Sequence, residues 1–154
     1  MINIARKYVK ANDEVRQFLI DYYNDNCIQF VSKERKYRMS MKDNWCAMFA
    51  SAVAHMKGAR GDQFPFEVSC YYQKQLALKQ GNFTRDINKV SPNDLILFDW
   101  EGRGVISHVG FITEIQGGNI TTIEGNYKRT VGYRALTSES NSIHGFIINR
   151  FCNP

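Results

Sequence analysis

The chain has no long apolar run, no C-x-x-C pair, no block of basic residues and only three histidines. Each shortage excludes something. A bilayer-spanning helix needs about 20 consecutive apolar residues. No stretch approaches that length, so no membrane partner is expected. The opening Met1-Ile2-Asn3-Ile4-Ala5-Arg6-Lys7 has neither an apolar h-region nor a cleavage signature. No secretory leader is therefore expected, and a protein made in the cytoplasm and acting outside it would need some other means of release. Without C-x-x-C spacing a zinc ribbon is excluded. The four cysteines, Cys27, Cys46, Cys70 and Cys152, are too scattered for a disulfide framework. Cys27, Cys70 and Cys152 read as buried apolar residues or spare thiols. The densest basic cluster is Lys33-Glu34-Arg35-Lys36-Tyr37-Arg38. It reads as a solvated loop face and lacks the density and interleaved aromatics of a phosphate-binding groove, so no nucleic-acid partner is expected. Internal repeats, low-complexity segments and linkers are also missing.

What is present describes a folded domain. Its 154 residues suit one domain, 1–154. An apolar fraction of 44% and a charged fraction of 23% are those of a folded chain rather than a disordered one. The net charge of +5 favours encounter with anionic partners, an anionic cell wall among them.

Asn12-Asp13-Glu14 is a helix-start signal, and Val15, Phe18, Leu19 and Tyr22 recur at helical spacing, which predicts a helix over 13–24. Residues 33–42 read as a charged loop. A nearly charge-free helix with little polar face is predicted over 44–57, central and buried, closed by Gly58 and Gly61. A third helical stretch opens at Phe64-Pro65, with Val68, Tyr71, Tyr72, Leu76 and Leu78 inward, and ends at Gly81-Asn82. Strands follow: 95–98, 109–115, 120–124, 131–136 and 143–151. Gly117-Gly118-Asn119 joins the second and third as a hairpin. Helices first and strands after predict an α+β fold with an antiparallel sheet.

The chemistry centres on Cys46, at the head of the central helix. Asp43 or Asn44 is expected to cap that helix. The helix terminus favours thiolate over thiol at Cys46. A thiolate nucleophile needs a base. His55 lies on the buried helix and reads as a core or capping residue, and His144 has no partner in the pattern. His108 opens a strand directly after the loop Glu101-Gly102-Arg103-Gly104. Glu124 closes the neighbouring strand, and the turn lies nearly midway between them. Glu124 or Asn126 is then placed to accept from one ring nitrogen of His108 while the other faces Cys46.

Five motifs in register extend this pattern: Trp45-Cys46-Ala47-x-Phe49, Pro92-x-Asp94-Leu95-Ile96-x-Phe98, His108-Val109-Gly110-Phe111-Ile112, Thr122-Ile123-Glu124-Gly125-Asn126 and Ile143-His144-Gly145-Phe146. Together they resemble the CHAP domain, the cysteine, histidine-dependent amidohydrolase/peptidase group of the NlpC/P60 superfamily. The resemblance implies a papain-like fold. It implies Cys46 as nucleophile, His108 as general base, Glu124 as orienter and Asn126 as a further polar group, with the Cys46 backbone N–H as an oxyanion donor and Asn44 as a candidate second donor. It also implies peptidoglycan as substrate, cleaved at an amide by an amidase or endopeptidase. The biological settings it leaves open are a phage or prophage lysin, an antibacterial effector, or a silent wall-binding module. A separate wall-binding subunit or module is a further partner it suggests. Some relatives carry calcium in an acidic loop before the cysteine. Here that loop is basic, and a hard cation wants six or more oxygens, so neither metal nor other cofactor is expected.

Overall fold

In a computed structural model that describes residues 1–152, helices precede strands. The helices are α1 (Ile2–Ala5), α2 (Asp13–Tyr22), α3 (Cys46–Lys57) and α4 (Cys70–Lys79). The strands are β1 (Phe83–Thr84), β2 (Leu95–Phe98), β3 (His108–Gln116), β4 (Asn119–Tyr127), β5 (Thr130–Thr137) and β6 (Ile143–Ile147). They form one antiparallel sheet in the order β1-β6-β2-β3-β4-β5. This is the α+β arrangement the pattern predicts.

The Asn12 side chain accepts from the Val15 N–H at 2.9 Å and starts α2. Asp13 and Glu14 in the first turn complement the helix dipole. Regular helix stops at Tyr22 and continues as a π turn over Tyr23–Cys27. Leu19, Ile20 and Tyr23 are buried, whereas Phe18 is exposed. The α3 helix is buried along nine residues, Cys46 to Ala54 in sequence, because its alanines let neighbours close in from all sides. Gly58 ends it in the left-handed conformation, at φ +104°, as expected of a glycine there.

The third helix starts later than expected. Ser69 caps it, accepting from the Tyr72 N–H, so α4 begins at Cys70. Phe64 and Phe66 enter the core from irregular chain instead, the Phe66 N–H turning back to the Phe64 carbonyl at 2.9 Å. Tyr71, Tyr72 and Leu78, expected inward, are exposed, and Cys70, Gln73 and Ala77 face in. With the two phenylalanines filling the core, the helix turns a narrower, smaller face inward. The last strand stops at Ile147 rather than 151, because Asn149 gives its N–H to the Asp94 side chain at 2.7 Å. The short β1, absent from the expectation, pairs with β6.

The β3–β4 hairpin turns on Gly117 and Gly118, both at positive φ (57° and 79°), as a two-residue hairpin turn requires. One sheet face carries Leu95, Leu97, Val109, Phe111 and Ile123 into the cluster formed with α3. The other carries Ile96, Phe98, Ile112 and Phe146. The helix lies very close to β4. A Cβ at Gly125 would sit 2.4 Å from Phe49 Cβ, so only glycine fits. Gly125→Ala should therefore destabilise the fold by about 1–3 kcal/mol through overpacking. Chemical denaturation measures this, and an unchanged midpoint would show that α3 does not depend on that approach.

Candidate active site

Cys46 is the first residue of α3 and is buried apart from 5% of its surface. The expected cap is not there. Trp45 occupies the N-cap position and no side chain caps the helix. The Asp43 carboxylate instead accepts from the Ser40 N–H and O–H and from the Tyr37 O–H, at 2.8, 2.9 and 2.9 Å. That folds the preceding loop on itself and leaves the helix terminus without a side-chain cap. Arg16, on α2, holds the same loop by donating to the carbonyls of Met41 (2.7 Å) and Asp43 (2.9 Å).

His108 and Glu124 meet because of a bulge. In an unbroken hairpin about Gly117-Gly118, Glu124 would oppose Phe111 and point to the face away from His108. The register shifts between Ile112 and Glu114, which leaves Thr113 as the extra residue. Beyond it Phe111 pairs with Ile123. Continued by one residue, this sets Glu124 across from Gly110, where a Cβ would lie 2.6 Å from Glu124 Cγ. Glu124 thus shares a face with His108, and His108 Nε2 lies 2.7 Å from Glu124 Oε2. With Nε2 so committed, Nδ1 is the ring nitrogen left for Cys46.

Arg134 completes the row. It pairs opposite Thr122 on β5, on the same face, and donates to both Glu124 oxygens at 2.9 and 3.0 Å. The Thr122 hydroxyl adds a bond to Oε1 at 2.6 Å. The guanidinium lies over the Trp100 ring at 4.5 Å, and Trp100 stacks on Phe98 at 4.4 Å. Sequence reasoning passed over Arg134. Its signal was strand position alone, an arginine within an otherwise uncharged strand core.

The charges support one another. Cys46 is held well below the usual thiol range: a bond from Cys70 favours its thiolate most, burial opposes it, and His108 and the Val109 N–H add to the stabilisation. Burial disfavours the His108 imidazolium, but bonds to Cys46 and Glu124 outweigh it and raise the pKa from 6.5 to about 9. Burial also disfavours the Glu124 carboxylate, yet His108, Arg134 and Thr122 lower its pKa. At neutral pH the site is a thiolate–imidazolium pair backed by a carboxylate.

The sequence matches the CHAP domain family over residues 20–126, a span that holds Cys46, His108, Glu124 and Asn126. The chain belongs to the CHAP domain family. That family is one of cysteine amidohydrolases and peptidases of peptidoglycan-related chemistry. Among solved structures, the chain is similar to an NlpC/P60 family protein from Bacillus cereus ATCC 10987, at 18% identity and a TM-score of 0.45, over 68% of this chain and 31% of that one. It is also similar to Ly7917, at 16% identity and a TM-score of 0.45, over 85% of this chain and 61% of that one. The chain thus spans less than two thirds of either protein. No curated protein matches it.

The remaining candidates of this CHAP domain make other contacts. Asn126, at φ +56°, does not bond His108; its amide donates to Asn44 Oδ1 at 3.3 Å and ties β4 to the loop before Cys46. Trp45 is fully buried, edge-on to Phe49 at 6.2 Å. His55 bonds the Tyr22 hydroxyl at 2.8 Å, and His144 packs near Phe83. The loop that holds calcium in some CHAP domains has its Met41 and Asp43 carbonyls on Arg16 and its Asp43 carboxylate on Ser40 and Tyr37. That donor set does not fit a hard cation.

The pH dependence has two signs. The raised His108 pKa contributes stability that is whole below pH 6.5 and lost as pH rises through about 9. The lowered Glu124 pKa contributes stability present above 4.5 and lost as pH falls through its folded value. Glu124→Gln removes the anion beside His108. Its ring should then titrate below the value of about 9, toward 6.5, in an NMR titration. An unmoved midpoint would mean that Glu124 does not set the imidazole's charge.

Proposed function

We propose that this CHAP domain hydrolyses an amide bond of peptidoglycan, in the stem peptide or cross-bridge, as an N-acetylmuramoyl-L-alanine amidase or an endopeptidase. The observation that carries the reading is the His108–Glu124 bond of 2.7 Å behind a thiolate at a helix start. The Cys46 thiolate attacks the carbonyl carbon, and the oxyanion takes the Cys46 backbone N–H at the uncapped helix terminus. Asn44, its Oδ1 bonded by Asn126, offers its amide as the second donor. The His108 imidazolium then protonates the leaving amine, and the C–N bond breaks to give an acyl-thioester. Neutral His108 next takes a proton from water, whose oxygen attacks the thioester and expels the thiolate. Glu124 holds the ring through both steps.

The net charge of +5 suits an anionic wall. The setting that fits best is a phage or prophage lysin reaching the wall after holin-type release or lysis, with wall binding supplied by a separate module or subunit. Holin genes beside its own would agree with this; secretion and immunity genes would place it among effectors.

Cys46→Ala should lower clearing of purified cell walls by several orders of magnitude while circular dichroism stays native. Continued clearing would overturn the assignment. Mass spectrometry of the fragments identifies the bond. A new alanine amino terminus freed from the lactyl ether marks an amidase, and one freed within the peptide or bridge marks an endopeptidase.

A further inference from the structure

Cys46 has a second thiol beside it. Cys70 Sγ lies 3.6 Å from Cys46 Sγ, and both side chains are buried. Each cysteine is the first residue of its helix, Cys46 of α3 and Cys70 of α4, so two electropositive helix ends converge on the sulfurs. A disulfide needs the sulfurs at about 2.05 Å, a closure of about 1.5 Å. The other two cysteines differ. Cys27 is buried, its thiol pushed up to about 12 by desolvation and directed at the Ser51 carbonyl. Cys152 is partly exposed near the end of the described residues.

We propose that Cys46 and Cys70 form a reversible redox pair: a hydroperoxide oxidises Cys46, and Cys70 resolves the product as a disulfide that closes the site. The regulatory consequence rests on Cys46 being the hydrolytic nucleophile; the thiol chemistry does not. The Cys46 thiolate attacks one oxygen of the hydroperoxide and the O–O bond breaks. Cys46 becomes a sulfenic acid, the peroxide is reduced by two electrons, and its departing oxygen leaves as water or alcohol with the proton of the His108 imidazolium. The Cys70 sulfur then attacks the Cys46 sulfur. The S–S bond forms, the S–O bond breaks, and the leaving hydroxide takes the Cys70 proton as water. With hydrogen peroxide, two thiols and one peroxide give one disulfide and two waters.

The order of events follows from charge. Beside a Cys46 thiolate, Cys70 is kept protonated, chiefly by its bond to Cys46 and then by burial and the adjacent charge. Oxidation of Cys46 removes that charge, so the resolving thiol is released once there is something to resolve. A neighbour this near also competes with further oxidation to the irreversible sulfinic acid.

The test treats the full chain with hydrogen peroxide, alkylates free thiols with iodoacetamide and maps peptides without reduction. The expected result is a Cys46–Cys70 crosslinked peptide, lighter by two hydrogens than the sum of its parts, which dithiothreitol returns to two alkylatable thiols. In Cys70→Ser, Cys46 should pass to sulfinic acid that dithiothreitol does not reverse. Cys46 reaching sulfinic acid equally fast in wild type, with Cys70 still alkylatable, would overturn the pair, and the wild-type map alone decides that. A crosslink in a chain whose reduced form leaves walls undigested would support the pair and remove the hydrolase reading. Wall digestion with no crosslink would remove the pair and leave that reading standing.

Discussion

A buried carboxylate governs this structure. Glu124 is 1% exposed and ionised, and it lies on β4, between β3 and the edge strand β5. Burying such a charge is expensive unless its acceptor sites are filled. Here they are filled from three sides, by His108, Arg134 and Thr122. Removing one partner of a buried pair of this kind costs about 3–5 kcal/mol. The geometry of three strands is therefore constrained together: the bulge at Thr113, the bare backbone at Gly110 and the place of Arg134 all serve one side chain. A Cβ at Gly132, which pairs with Glu124, would lie 2.5 Å from the Tyr127 ring.

The loop ahead of Cys46 solves a related problem with a different cation. Its carbonyls at Met41 and Asp43 converge on a guanidinium from α2, and Arg16 is itself only 8% exposed, packed 5.5 Å from the Trp45 ring centroid. One residue ties α2, the loop and the start of α3 together. With Asp43 turned back into the loop, the α3 terminus keeps its partial positive charge for the thiolate.

Periodicity and turn chemistry made the outline readable. Gly58, Gly117 and Gly118 mark boundaries through conformations that other residues resist, and Asn12 marks a cap. His108 was legible because few histidines compete with it, and Glu124 because it follows a hairpin turn. The turn's near symmetry was one residue off, however, and the bulge that restores the shared face has no sequence signature. Other features depend on contacts far apart in sequence. Arg134 matters through residues ten or more positions away, and Cys70 looks like any buried thiol until α4 docks. The inward face of α4 was misread because Phe64 and Phe66 fill the core first.

From Cys46 across the sheet, the charges alternate: thiolate, imidazolium, carboxylate, guanidinium. The row sums to zero, which is what allows four ionised groups to sit together at a largely buried site. It also explains why they shift one another in the directions seen, with acids lowered and the imidazole raised. Arg134 ends the row at a partly exposed position, its side chain 29% accessible, where solvent can share its charge. Cys70 ends it at the other side and carries no charge of its own. The Cys46 anion is therefore bounded by a neutral donor on one flank and a cation on the other. Any reaction that discharges Cys46, acylation or oxidation alike, leaves His108 to give up its proton, because an imidazolium without its thiolate would unbalance the row. The acid that the proposed hydrolysis needs is thus produced by the same electrostatics that hold the site together.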